Sequence, residues 1–266
     1  MQEKMGNIAI ITGGSSGIGR STARLLSDNG YTVYEFSRSG RSENRVTHIT
    51  ADITKPEDIS RAFKEVFDRE GRLDLLVNNA GMGISGAVEF TPAEQAHRIF
   101  DVNFFGTFLC CKEALPYLRK TGGARIINLS SVAAPLSIPF QSFYSATKAA
   151  VNSLTLALAN EVRPFGIKVS AVMPGDVHTG FTAAREKNED GSELYGGTIK
   201  RAVSSMEKDE ISGMTPDYIA SVIYRVSQKK SPRVLYVAGP KYKLFVVIAK
   251  LLPVNFSNKI VGKLYC

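Results

Sequence analysis

Thr12-Gly-Gly-Ser-Ser-Gly-Ile-Gly19 is the stretch that decides the fold of this chain. The apolar run Ile8 to Ile11 precedes it, and a helix-like stretch, Ser21 to Leu26, follows. Strand, glycine loop and helix is the context in which such spacing has a mechanism. Gly13 permits a tight turn, Gly17 lets the backbone approach a pyrophosphate, and Gly19 allows close packing of helix on strand. The start of the helix offers free N–H groups and the positive end of its dipole to phosphate oxygens. We assign Gly13, Ser15, Ser16, Gly17, Ile18 and Gly19 to this cradle. The spacing is G-x-x-x-G-x-G, not the commoner G-x-G-x-x-G.

Outward from the loop, apolar runs alternate with helical patterns along the chain. The runs predict strands at Asn7–Thr12, Thr32–Ser37, Val46–Ala51, Leu73–Asn78, Arg125–Ser130, Lys168–Met173 and Arg233–Val237. Strands alternating with helices imply βαβ units and a parallel sheet. Near-continuous apolar runs are expected of strands covered on both faces. Asn29-Gly30 is a stop signal for the first helix. Thr54-Lys-Pro-Glu57 and Thr91-Pro-Ala-Glu94 both predict capping boxes with proline near the first turn. Arg185 to Tyr195 is polar and turn-rich, a candidate lid, with a helix expected over Ile199–Glu207. There is no internal repeat or linker, and 266 residues suit one domain. We divide it into a catalytic body over 1–240, with a flap at about 180–212, and an arm over 241–266.

Four further motifs follow predicted strands or lie just beyond them. Asn78-Asn-Ala-Gly81 follows the fourth strand and Ser130-Ser131 the fifth. Pro174-Gly-Asp-Val-His-Thr179 follows the sixth. Between the last two lies Tyr144-Ser-Ala-Thr-Lys148. Ligands in open α/β sheets bind at the C-terminal strand edge, where these motifs gather. A free tyrosine titrates near pH ~10 and is a poor proton donor at neutrality. A lysine four residues on shares its helix face, and its charge is expected to lower the tyrosine pKa. That makes Tyr144 a candidate general acid/base.

With these motifs in order, the chain resembles the short-chain dehydrogenase/reductase family from about Asn7 to Val237. The resemblance implies a doubly wound Rossmann-type sheet, a nicotinamide cofactor and hydride transfer between that cofactor and a carbonyl/alcohol carbon. It implies that Tyr144 donates or accepts the proton. Ser131, thirteen residues earlier, would hydrogen-bond the substrate oxygen. Lys148 would hold the nicotinamide ribose and tune Tyr144. Asn103, in Asp101-Val-Asn-Phe-Phe-Gly106, would support a water-linked relay to the lysine. Asn79, Ala80, Gly81, Pro174, Gly175, Val177 and Thr179 would line the cofactor, as would Asp52 and its neighbour Ile53. Asp52 is equally suited to capping a helix start, as is Thr54. His97 and His178 take no part.

Cofactor choice is usually set where the second strand ends, at an acid that bonds the ribose 2′-hydroxyl. Ser37 stands at that place. Arg38 follows and can grip a phosphate with a forked donor, and Ser39 adds a hydroxyl. NADP(H) is therefore expected. Glu35 is the complication: a two-residue change of register would put an acid on the ribose and favour NAD.

The expected substrate pocket draws on Met82 to Ile84, on Ala133 to Phe143 and on the flap. Its largely apolar side chains suit a hydrophobic alcohol or ketone of steroid, retinoid or lipid type. The C-terminal arm resembles that of the hydroxysteroid and retinol dehydrogenase-like branch. Alternatives are a ketoacyl-type reductase of acyl thioesters and a non-catalytic NADP-sensing protein. The family commonly forms homo-oligomers.

The net charge of +8 is uneven: residues 218–266 hold nine lysines and arginines and no acid, leaving the remainder near −1. This basic end reads in three ways: a solvated face, a peripheral membrane contact, or an attractor of acidic ligands. Nothing in the sequence has the form of a nucleic-acid module or of metal-ligand spacing. Cys110, Cys111 and Cys266 favour a reducing compartment. With no signal-peptide pattern before the first strand and no apolar run of spanning length, we expect a cytoplasmic protein, with contact at a membrane surface as an open alternative.

Overall fold

The computed structural model describes residues 6–265; the signal-peptide reading and Cys266 lie wholly or partly outside them. In chain order the strands are β1 (Ile8–Thr12), β2 (Thr32–Ser37), β3 (Val46–Thr50), β4 (Leu75–Asn78), β5 (Ile84–Ser85), β6 (Arg125–Leu129), β7 (Lys168–Pro174), β8 (Glu186–Lys187) and β9 (Leu235–Ala238). The helices are α1 (Gly17–Asp28), α2 (Pro56–Glu70), α3 (Ala93–Phe100), α4 (Gly106–Thr121), α5 (Ser142–Glu161), α6 (Phe181–Ala184), α7 (Thr198–Ile211), α8 (Pro216–Gln228), α9 (Pro240–Leu251) and α10 (Val254–Tyr265). A π-helical turn, Asp101–Phe105, joins α3 to α4.

Seven strands form one sheet in the order β3-β2-β1-β4-β6-β7-β9, with every pairing parallel. The chain winds outward from β1 to β3, then returns to β4 on the other side of β1. That reversal opens a crevice beyond the C-terminal ends of β1 and β4, the place where such sheets hold ligands. Alternate residues of β1 face opposite layers. Ile8 and Ile10 pack with Phe63 of α2, Leu118 of α4 and Leu158 of α5. Ala9 and Ile11 pack with Leu26 of α1 and with Ile219 and Ile223 of α8. Helices therefore cover both faces, which is why the strands read as unbroken apolar runs. Each such large side chain contributes about 1.5–3 kcal/mol of burial.

Most strand bounds shift by a residue or two from those expected. β4 starts at Leu75, because the backbone of Leu73 bonds the Thr121 hydroxyl rather than the sheet. Neither capping box forms. α2 begins at Pro56, after Lys55, and Asp58 reaches back instead to the backbone N–H of Asp52, at 2.9 Å. α3 begins after Pro92, and the Thr91 hydroxyl donates backward to the Ala87 carbonyl. In each case proline moves the helix start past the threonine. Gly30, at φ 84°, does end the first helix, as Asn29-Gly30 predicts.

The polar segment after β7 is pinned rather than free. β8 pairs with β5, and ion pairs join Arg98 to Glu186, Lys187 to Glu207 and Arg185 to Glu210. α7 is longer than expected, running to Ile211. Beyond β9 the chain ends in α9 and α10. No helix among the described residues is long and apolar enough to cross a membrane.

Candidate functional site

α5 places the two key side chains. Tyr144 lies in its first turn and Lys148 one turn later on the same face. The lysine is buried, and its Nζ donates to the carbonyl of Leu129 at 2.9 Å, at the end of β6. Its Nζ stands 5.7 Å from the centroid of the Tyr144 ring. The adjacent serines separate cleanly. Ser130 donates to the Lys148 carbonyl at 3.0 Å and so is occupied inside the fold. Ser131 accepts from the N–H of Ala133 at 3.1 Å, which leaves its own proton to donate. Its hydroxyl acts on Tyr144, so Ser131 faces the tyrosine.

Asn103 sits in the π-helical turn, buried, held on both edges. Its Oδ1 accepts from the N–H of Met82 at 2.8 Å, and its Nδ2 donates to the carbonyl of Met82 and to the Thr147 hydroxyl. The loop after β4 bends over it because residue 81 is glycine: a Cβ there would lie 3.2 Å from Asn103 Oδ1 and 3.6 Å from Lys148 Nζ. The four residues Asn103, Ser131, Tyr144 and Lys148 thus converge at one end of the crevice.

The protonation pattern departs from the sequence reading. Burial pushes the Tyr144 phenol up to about 12, and the negative charges of Glu210 and Asp176 add to it. The hydrogen bond from Ser131 and the charge of Arg185 oppose the rise without overcoming it. The tyrosine pKa is raised rather than lowered, and burial lowers that of Lys148, to about 8. The physical reason is that both groups lie in a low-dielectric interior that disfavours ammonium and phenolate alike.

The glycine loop occupies the other end. Thr12 takes the N–H groups of Asn79 and Ala80 on its hydroxyl, and the Asn79 side chain donates to the carbonyls of Thr12 and Gly13 at 3.0 Å. Gly13 and Gly17 have φ of 65° and 51°, open to glycine without strain. A Cβ on Gly19 would lie 2.2 Å from the Gly13 carbonyl oxygen, so only glycine lets α1 start here. Ile18 packs into the layer behind, while Ser15 and Ser16 are exposed. Ser16 makes no side-chain cap, which leaves the first N–H groups of α1 available. A Cβ on Gly17 would meet Thr179 at 3.4 Å, so the glycine loop and the loop after β7 close around one space. That cradle, with the uncapped helix start above it, fits a dinucleotide.

Other assigned residues are placed as follows. Pro174 is buried, and its carbonyl accepts from Val132. Gly175 carries the Tyr242 ring on its open face, and Val177 bridges to Met214. Asp52 accepts from both the N–H and the hydroxyl of Thr54, and it caps no helix. Ile53 is a packed core side chain. Ser37 ends β2 opposite Thr50, with Arg38 and Ser39 exposed just beyond. Glu35 pairs with Ile11 inside the strand, two residues before Ser37. Its buried Oε1 meets His48 Nδ1 and the Ser37 hydroxyl, and its Oε2 has no partner. A cavity of about 320 Å³, lined by Gly14, Ser15, Glu35, Ser39 and Arg41 among others, lies beside it.

The substrate side is walled by the segments expected of it, Ala133 to Phe143 and the flap, held by pairings that sequence reasoning missed. Phe181 of α6 packs on Tyr144, ring centroids 5.7 Å apart, and fills the space over Gly83. Arg185 is buried behind it, paired with Glu210, which also accepts from Thr182 at 2.6 Å. Phe140 holds φ 59°, a left-handed conformation that is strained for a bulky residue. Its ring packs edge-on against Tyr195 and ties α7 to the pocket wall. Tyr242 of α9 donates to Asp176 at 2.6 Å. No local pattern marks these pairs; an arginine and a glutamate twenty-five residues apart carry no spacing signal. His97 and His178 are exposed.

Comparison with known proteins agrees with this fold. The family model described as short chain dehydrogenase matches residues 7–190. The 3-ketodihydrosphingosine reductase of Bacteroides thetaiotaomicron is 41% identical over 256 residues, 94% of this chain and 95% of that protein. A short-chain dehydrogenase from Streptomyces avermitilis superposes with TM-score 0.87 at 29% identity, covering 98% of each chain. The 3-ketoacyl-(acyl-carrier-protein) reductase of Brucella melitensis, solved with NADH, superposes with TM-score 0.73 at 26% identity over 88% of this chain and 97% of its own.

Proposed function

The chain belongs to the short-chain dehydrogenase family and is an oxidoreductase of that kind; from this premise we propose that it reduces the ketone of a hydrophobic, lipid-like substrate with NADP(H). The observation that carries the reading is the convergence of Ser131, Tyr144, Lys148 and Asn103 beside a pocket walled by Phe181 and the Phe140 segment. The similar Bacteroides protein, by its name, acts on a long-chain keto lipid, which favours the lipid member of the expected substrate set over steroid or retinoid.

The nicotinamide cofactor, when bound, supplies hydride to the carbonyl carbon. This chain's residues do the rest. The cradle from Gly13 to Gly19 and the loops at Asn79–Gly81 and Pro174–Thr179 hold the dinucleotide. Arg38 grips the adenosine phosphate that distinguishes NADP. Ser131 donates to the substrate oxygen as charge develops there, and preorganised donors of this kind are usually the largest catalytic contribution. Tyr144 donates its proton to the same oxygen; a phenol held protonated to about 12 is in the donating form throughout the neutral range. Lys148 orients the ribose, and Asn103 fixes the loop at Met82 and the relay toward the lysine. Exposed Phe105, Phe108 and Leu156 give a second copy an apolar surface to pack on. The basic, apolar arm favours contact with a membrane surface.

The test follows reduced-nicotinamide absorbance with NADPH or NADH and a panel of long-chain 3-ketones, acyl thioesters and steroids. Faster oxidation of NADPH with the keto lipids is expected. Turnover confined to acyl thioesters would establish the ketoacyl alternative, and a strong NADH preference would overturn the role of Arg38.

A further inference from the structure

We propose that α9 and α10 form a docking surface for an anionic lipid bilayer, on which the body of the protein sits with its crevice near the lipid. The supply of substrate from that bilayer rests on the lipid-ketone reading above; the docking surface itself does not.

The two helices divide their faces in a way a water-exposed arm does not. In α9, Tyr242, Val246 and Ala249 recur at four and three residues and turn toward the protein. The opposite face carries Leu244, Phe245, Val247, Ile248 and Leu251, all exposed, Leu251 at 80%. In α10 the stripe Phe256, Ile260 and Leu264 recurs every fourth residue and is exposed as well, with Val254 at 80% at the helix start. Single exposed apolar residues are ordinary on any protein. Nine within twenty-one residues, on two consecutive helices, make a patch that calls for a partner.

Charge identifies the partner. Residues 240–265 carry Lys241, Lys243, Lys250, Lys259 and Lys263 and no acid. Lysines around an exposed apolar stripe are the composition of a helix that lies in a lipid interface, its apolar face among acyl chains and its ammonium groups at anionic headgroups. A second copy of this chain is the poorer occupant, since a two-fold contact places the same patch on both sides and so sets lysines against lysines. Each helix has 12 residues, about 18 Å long at ~1.5 Å per residue, against a hydrocarbon core of about 30 Å. The arm lies on a bilayer and does not cross it.

The arm is also fixed to the site. The Tyr242 ring occupies the open face of Gly175, where a Cβ would come within 2.3 Å, and its hydroxyl donates to Asp176. At the far end Tyr265 is buried enough, and close enough to Asp176, Asp209 and Glu210, for its phenol to be pushed up to about 12. Tyr242 therefore ties the start of the arm to the loop after β7, and α10 packs against the flap helix α7. A bilayer under its outer face lies beside the substrate end of the crevice.

The experiment is co-sedimentation of the full chain with vesicles of phosphatidylcholine alone and of phosphatidylcholine with 30% phosphatidylglycerol, at 50 mM and 500 mM salt. Sedimentation velocity without lipid runs in parallel. The Leu251→Glu/Phe256→Glu double variant changes only exposed positions, so its fold is expected to persist. Binding to the anionic vesicles, at least tenfold weaker on neutral ones, in high salt or in the variant, is the expected result. No binding to anionic vesicles, or equal binding by the variant, overturns the proposal. Self-association that the double substitution abolishes, without vesicle binding, assigns the patch to a second copy and likewise overturns it. NADPH oxidation with a water-soluble short-chain ketone, measured on both proteins without lipid, separates the two readings. Its absence in both would remove the reductase reading and leave the vesicle result standing.

Discussion

Lys148→Met is expected to stabilise the fold selectively at neutral pH while destroying the site. The lysine is 5% exposed, and burial takes its pKa from 10.5 to about 8. In the unfolded chain it keeps the ordinary value, so between pH 8 and 10.5 the unfolded state binds more protons, and stability rises with pH. Below about pH 8 both states are charged, and the fold carries the whole penalty. At about 1.4 kcal/mol for each pKa unit the penalty is about 3 kcal/mol at pH 7, of which about 2 kcal/mol is relieved by pH 9.5. Methionine has no charge to bury. It also leaves the Leu129 carbonyl without its donor, which costs about 1–3 kcal/mol at every pH. The absolute change at one pH therefore mixes two effects, but its pH dependence isolates one. Urea unfolding of both proteins at pH 7.0 and 9.5, followed by circular dichroism, reads that difference. The advantage of the variant over the parent is expected to shrink by about 2 kcal/mol across this interval. Tyr144 does not interfere, because its phenol titrates above this range in both states, near 10 when unfolded and about 12 when folded. A difference unchanged between the two pH values would refute the burial of a charged lysine as the source of its low pKa.

Tyr144→Phe is expected to lose most turnover, about 10²-fold or more as for loss of a general acid, with NADPH affinity retained in fluorescence titration; normal turnover would remove the proton-donor role. Arg38→Glu is expected to reverse the preference between NADPH and NADH in kcat/KM, by losing a phosphate contact and adding repulsion to the 2′-phosphate. Gly175→Ala drives a Cβ into the Tyr242 ring, so limited proteolysis is expected to cut within 240–265 faster than in the parent. Glu210→Ala strands the buried Arg185 guanidinium, and a loss of about 3–5 kcal/mol in urea unfolding is expected, as for one partner removed from a buried pair.

The sheet was legible because its inner strands are buried on both faces and so write themselves as apolar runs, from Ile8–Ile11 onward, while the edge strands β3 and β9 are only partly buried. The glycine loop was legible for a different reason: Gly13, Gly17 and Gly19 are each required by a backbone angle or an approach that a side chain forbids. Ser131 over Ser130 was legible from its spacing to Tyr144, and the structure places the two serines on different partners. The capping boxes were misread because Thr54 and Thr91 fit the pattern locally, while Pro56 and Pro92 shift the helix starts beyond them. The tyrosine pKa was misread because one neighbour's charge was weighed without the desolvation that acts on both groups. The segments that wall the pocket were legible, but the side-chain pairings that hold them were not. Phe181, Arg185 with Glu210, and Tyr242 with Asp176 are pairings across sequence separation, and no periodicity records them.

The residues that break local rules in this fold gather at one edge. Glu35 is a carboxylate within an apolar strand, its Oε2 unpartnered beneath the glycine loop. Lys148 is an ammonium held in the interior, Arg185 a buried guanidinium with Nη1 unpartnered, and Phe140 a bulky residue at positive φ. Each costs stability where it stands, by desolvation or by strain of about 1–3 kcal/mol. The two layers on either side of the sheet are built mainly of apolar side chains, with Asn78 Oδ1 and Asn152 Oδ1 as further buried atoms without a partner. A chain whose layers are mainly apolar, and which places several buried charges and a strained residue around one crevice, has its stability supplied in one place and spent in another. That separation predicts where substitutions can raise stability without loss of folding, and Lys148→Met is the sharpest instance. The same separation explains why the apolar outer face of α9 and α10 stands apart from these cases. It is not strained or desolvated, only uncovered, and a surface partner relieves it without any change in the fold.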